Sequence, residues 1–208
     1  MLERWRPTAT ALVLANLIPL LGVMLFGWDV FVIVFLFWLE NVIVGVFNVL
    51  RMLWVERGVE TMPLAKIFVI PFFVFHYGMF TAVHGVFVFA LFGSGVSNNL
   101  FPTVVSIVDV IQEHRLWIAV AALLLSHGFS FVRNYVAAQE YRRVTLKQLM
   151  GQPYGRVVVL HIAIIGGGFL VMALGAPVFG LALLVVLKVI MDVGAHLREH
   201  TRLEAAAT

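Results

Sequence analysis

The sequence predicts an all-α membrane protein, a bundle of about six transmembrane helices with both termini in the cytoplasm. Three observations point there. The 208 residues are 62% hydrophobic and only 12% charged, with a mean hydropathy of +1.02; a soluble domain is about half apolar and about a quarter charged. The apolar residues gather into runs close to the roughly 20 that a helix needs to cross a bilayer. The basic residues fall on alternate loops between those runs, as the positive-inside rule requires. This composition excludes a soluble enzyme, a disordered linker and a fibrous repeat. No nucleic-acid partner is expected, despite a pI near 9.6. The absence of cysteine removes disulfides, thiolate metal sites, cysteine nucleophiles and iron–sulfur clusters.

In chain order the runs read as spans over 8–26, 30–53, 67–92, 116–132, 157–174 and 178–197. The first is too long for the apolar part of a cleavable signal peptide, and no small-x-small site leads into a soluble mature domain. Arg4 and Arg6 precede it, and Arg51, Arg57 and Lys66 lie between spans two and three. Arg133, Arg142, Arg143, Lys147 and Arg156 lie between four and five, and Arg198 and Arg202 follow six. The opposite side carries Arg115 with Asp29, Asp109 and Glu113. The expectation is one integral domain over 1–208 in a bacterial inner membrane, with membrane lipids as partners and a homo-oligomer as a further option.

Two loops exceed a turn. After GSGVSNN, the segment FPTVVSIVDVIQEH in the 93–115 loop reads as a short amphipathic helix on the outer surface. The 133–155 loop is basic and aromatic, which places it at the headgroups on the cytoplasmic face.

The exceptions to the apolar pattern carry the chemistry, because ionisable groups inside a membrane are costly. Counting about 1.5 Å per helical residue from the nearest boundary arginine or lysine, His76, Lys188 and Glu40 lie about 15 to 16 Å deep. His127, His161 and Asp192 share a shallower layer at about 8 to 9 Å, with Asn48 and His196 shallower still. Lys188, Asp192 and His196 follow i, i+4, i+8 spacing and share a helix face. Glu40, Asn41, Val44 and Asn48 lie near one face of span two. The glycines at Gly45, Gly128 and 166–168 permit close helix approach.

Imidazoles and carboxylates are the usual ligands of zinc and related divalent transition metals. His127, His161 and Asp192 form such a set, with His76 or His196 as a further ligand. Glu40 or Lys188 would manage the proton, and Ser126 and Ser130 would donate hydrogen bonds. That set suits an intramembrane hydrolase of a lipid-like or amide substrate. The same residues suit an ion- or proton-coupled transporter or channel that uses Glu40, Lys188 and Asp192. Two histidines from different helices also suit the axial positions of a haem in a redox subunit. The bland readings stand beside these three: histidines bonded to backbone carbonyls, a structural ion pair of Lys188 with Asp192 or Glu40, and asparagines that hold helices together. The aromatic residues of FFVFHY (Phe72, Phe73, Phe75 and Tyr77) suit lipid contact or packing rather than a cofactor cage.

At FWLENVIVGVFNVLRM, HYGMF, HGVFVFALFG, SHGFSFVRNY, EYRR, PYGRVVVLH and KVIMDVGAHLREH the chain resembles an uncharacterised bacterial family of small multi-pass membrane proteins, domain of unknown function 6498. That resemblance covers most of residues 30–200 and implies no activity. A weaker similarity is to intramembrane zinc hydrolases of the alkaline ceramidase and adiponectin receptor type. Glu40, Ser126, Asp192, His196 and His200 echo their inventory of an early acid and serine, an aspartate and a terminal H-x3-H. The departures are six spans in place of seven and a serine on a different helix, so this is analogy.

Overall fold

A helix that is apolar on every side belongs inside a bundle, and a helix with one apolar stripe and one packed stripe belongs at its edge. Both kinds are present. The structure is a computed structural model that describes residues 29–56, 63–93 and 101–175, together with 179, 181–183, 185–187 and 190. Among the described residues every element is helical and there is no strand. The chain divides into two compact units, one of residues 34–160 and one of residues 1–33 with 161–208.

Helix α1 (Val30–Trp54) opens at Asp29, whose Oδ1 accepts a 2.8 Å hydrogen bond from the Phe31 backbone N–H. Within the first unit named, Val34, Phe35, Trp38, Leu39, Asn41, Ile43, Asn48 and Met52 are all buried, so α1 is covered on most of its circumference. Helix α2 (Pro63–Phe92) behaves differently. Phe73, Tyr77, Thr81, His84, Val88 and Phe92 line its packed face, whereas Leu64, Phe68, Phe72, Phe75, Met79, Val83 and Phe87 form an exposed apolar stripe. Both stripes repeat every three or four residues, the helical period. The four aromatics of FFVFHY thus divide, with Phe72 and Phe75 outward and Phe73 and Tyr77 inward.

The expected amphipathic helix of the 93–115 loop is present as α3 (Val104–Glu113), with Thr103 as its N-cap and Ser106, Val110 and Ile111 buried. Helix α4 (Trp117–Ser130) follows at a bend of 115°, with Arg115 in the left-handed region at φ 54° between them. It runs into a π-helical turn (Phe131–Ala137), and a 3₁₀ turn (Glu140–Arg142) and helices α5 (Leu146–Gly151) and α6 (Tyr154–Leu174) complete the order.

The 133–155 segment departs from expectation. It contributes to the core: Tyr135, Leu146 and Leu149 are buried in one apolar cluster with Met52, Val55, Phe73, Tyr77 and Val157. A reciprocal capping box between Thr145 and Gln148 starts α5 and aims Leu146 and Leu149 inward.

Three described helices are long and apolar enough to cross a membrane (Val30–Trp54, Leu64–Phe92 and Leu146–Leu170), or four if α3 and the extended α4 form one broken span. The expected span over 8–26 lies outside the described residues. Of 178–197 only 179, 181–183, 185–187 and 190 are described, all helical.

Close approach of α1 and α2 depends on Gly45. A Cβ there would stand 2.5 Å from Tyr77 Cε1, and Tyr77 is held by its hydroxyl donating to the Asn41 carbonyl at 2.9 Å. Gly45→Ala is expected to cost about 1–3 kcal/mol through overpacking, read as a lowered melting temperature in detergent. Gly78→Ala, which meets nothing within 4 Å, should leave it unchanged.

Candidate functional site

Backbone carbonyls at a helix C-terminus have no intrahelical donor and must find one elsewhere. The end of α1 does so through side chains. Lys66 Nζ donates to the carbonyls of Leu53 and Val55 at 2.9 and 2.8 Å, and the Tyr135 hydroxyl donates to Arg51 O at 2.6 Å. One turn back, Asn48 Nδ2 donates to Leu149 O at 2.9 Å, and the Arg51 guanidinium lies over the Tyr135 ring, 5.5 Å from its centroid. These contacts set the floor of a polar region on α1.

Its centre is Glu40. Arg156, in the first turn of α6, donates from Nη1 to Glu40 Oε1 at 2.7 Å, and His127 Nε2 of α4 stands 3.5 Å from the same oxygen. The Glu40 side chain is 16% exposed and His127 24%, so both lie mostly out of solvent, whereas Arg156 is 42% exposed. A cation in the first turn of a helix opposes the helix dipole, and the carboxylate compensates both effects. Beside this cluster is a cavity of about 250 Å³ lined by Val44, Phe47, Asn48, Arg51, His127, Gln152, Pro153 and Arg156. A second, almost wholly apolar cavity of about 450 Å³ lies along Trp38, Val42, Gly45, Val49, Phe73, Tyr77 and Thr81.

The sequence-derived candidates within residues 34–160 fall in different places. Glu40 and His127 come together. His76 does not join them: its Nδ1 makes a 2.6 Å hydrogen bond with the Tyr154 hydroxyl, and its ring stacks on Phe72 at 5.3 Å. Ser126 is exposed and does not line the cavity, so it is no hydrogen-bond donor to the site. His161 falls in the other unit, and Lys188, Asp192 and His196 lie outside the described residues. Among the described residues no three histidine, aspartate or glutamate side chains group as metal ligands.

Arg156 is the principal correction. Its charge fits a membrane-boundary residue, yet it pairs with Glu40, 11 residues or about 16 Å along α1 from Arg51. The depth assigned to His161 by counting from Arg156 thereby loses its reference. Arg51, Gln152 and Tyr154 were also missed; the PYGR segment at the start of α6 is the signal that contains two neighbours of the site.

Arg156→Met removes the 2.7 Å partner of Glu40 and should destabilise the protein by about 1–3 kcal/mol. Adding Glu40→Gln to that variant should restore part of the loss, because the unpaired charge goes with it. A double-mutant cycle on detergent melting curves reads the coupling, and additive losses would refute the pair.

No curated protein and no solved structure matches the chain. A family model does, over residues 2–208, so nearly the whole chain is covered. The chain belongs to the family of unknown function DUF6498.

Proposed function

We propose that this is a multi-pass protein of a bacterial inner membrane in which Glu40, His127 and Arg156 work as an ion or proton relay of a transporter or channel. The orientation in this reading, with both termini cytoplasmic, is supported by the distribution of lysine and arginine along the sequence. Membrane lipids are the immediate partners, and the exposed stripe of α2 supports that contact. The observation that carries the relay is the geometry at Glu40: one carboxylate oxygen with two basic partners, Arg156 at 2.7 Å and His127 at 3.5 Å.

That arrangement has two ways to balance the same charge. When His127 is neutral, Arg156 holds the carboxylate. When His127 gains a proton, the imidazolium competes for the same oxygen, and the Arg156 contact is free to lengthen toward the cavity. Lys188 and Asp192, on the last span of the sequence reading, would extend the relay.

The zinc-hydrolase reading is less well supported. It needs His127 to join His161 and Asp192 as ligands, with His76 or His196 beside them, whereas His127 stands 3.5 Å from Glu40, His76 bonds Tyr154, and no three such side chains group among the described residues. The haem reading has His76 engaged by Tyr154 and His127 turned to Glu40.

In liposomes carrying an imposed pH gradient, the reconstituted protein is expected to dissipate the gradient faster than protein-free vesicles. Glu40→Gln should return the rate to that of protein-free vesicles while the melting temperature stays within a few degrees of wild type. Unchanged flux in a folded Glu40→Gln protein sinks the relay. Elemental analysis after metal-replete purification should return substoichiometric zinc; stoichiometric zinc that is lost in His127→Ala and in Asp192→Ala would favour the hydrolase instead.

A further inference from the structure

We propose that the 250 Å³ cavity beside the relay is a binding site for a phosphate group, either free or in the head group of an anionic lipid. Its lining holds two guanidiniums, Arg51 and Arg156, with the His127 imidazole and the amides of Asn48 and Gln152, and among the described residues no carboxylate. Glu40 meets Arg156 at Nη1. A guanidinium has five N–H donors, so Arg156 retains donor capacity after serving Glu40.

Arg51 is the stronger indication. Its Nε is buried and has no hydrogen-bond partner among the described residues. Its plane is fixed over the Tyr135 ring, and the Tyr135 hydroxyl is fixed in turn on the Arg51 carbonyl. A buried N–H donor left unsatisfied, as at Arg51 Nε, is costly unless an acceptor meets it. The lining draws its donors from α1, α4 and the start of α6, and guanidinium groups bind phosphate through charge-assisted hydrogen bonds. The cavity also adjoins the N-terminus of the 21-residue α6, whose dipole favours negative charge there. The Asn48 side chain, 4% exposed and anchored on Leu149 O, keeps this wall rigid.

The inference does not require proton movement at Glu40, since flux and phosphate binding are separate readouts. The test uses full-length protein in neutral detergent, with calorimetry and thermal shift against two probes: inorganic phosphate, and phosphatidylglycerol in mixed micelles with phosphatidylcholine as the blank. Binding of at least one probe is expected. Phosphate alone identifies a free anion as the source, and phosphatidylglycerol alone identifies a head group. Arg51→Gln should weaken binding by about tenfold or more, and Gln152→Ala by several-fold. Arg142→Gln, which removes an exposed cation paired with Glu56, should leave it unchanged. Should Arg51→Gln fail to fold, Gln152→Ala and the wild-type titrations decide. No binding of either probe to wild type overturns the proposal, as does wild-type affinity in a folded Arg51→Gln or Gln152→Ala protein.

Discussion

Unit 34–160 is organised by the need to satisfy the polar groups of one nearly encircled helix, α1. In an apolar setting an unmet backbone or side-chain polar group costs several kcal/mol, and α1 meets that need by recruiting every neighbour in turn. Tyr77 of α2 donates to Asn41 O, while Trp38 returns a 2.7 Å bond from Nε1 to Thr81 O. Tyr135 and Lys66 cover its last carbonyls, the Asn48 amide reaches α5, and Glu40 draws in Arg156 from α6. The apolar cluster around Met52 and Val55 then forms where those bonds have already brought the elements together. Directional bonds set which helix faces which, and packing fills what remains.

The candidate site is a by-product of the same organisation. Glu40 sits on the helix that α2, α5 and α6 bond to, and its charge is answered from outside α1. Arg156 and His127 arrive from two different helices. The adjacent cavity is lined by two guanidiniums, Arg51 of α1 itself and Arg156 from the start of α6.

Much of the fold was legible in the sequence because apolar periodicity is a local signal. The run 30–53 became α1 to within a residue, and 67–92 was the core of α2. The amphipathic α3 was visible in FPTVVSIVDVIQEH. The 133–155 segment was harder, since its arginines and tyrosines outweighed Leu146 and Leu149, the two residues that fix it in the core. At the site, Glu40 and His127 stood out as polar residues in apolar surroundings. Arg156 did not, because a cation near a span end has the same signature whether it faces headgroups or a buried acid. Partnership of that kind depends on long-range contacts, which spacing along one chain does not encode.

The π-helical turn at 131–137 has one further consequence. It carries Phe131 stacked on Tyr135 at 5.6 Å and delivers the Tyr135 hydroxyl to Arg51 O. A π turn holds one residue more than an ordinary helical turn, so its geometry is that of an insertion accommodated without breaking the helix. Removing a single residue from this stretch would restore the α-helical phase and swing all that follows by about 100° around the axis. The tyrosine would then leave the end of α1, and with it the ring on which Arg51 rests. The length of this one turn, rather than the identity of any residue within it, is what keeps α4 in step with α1.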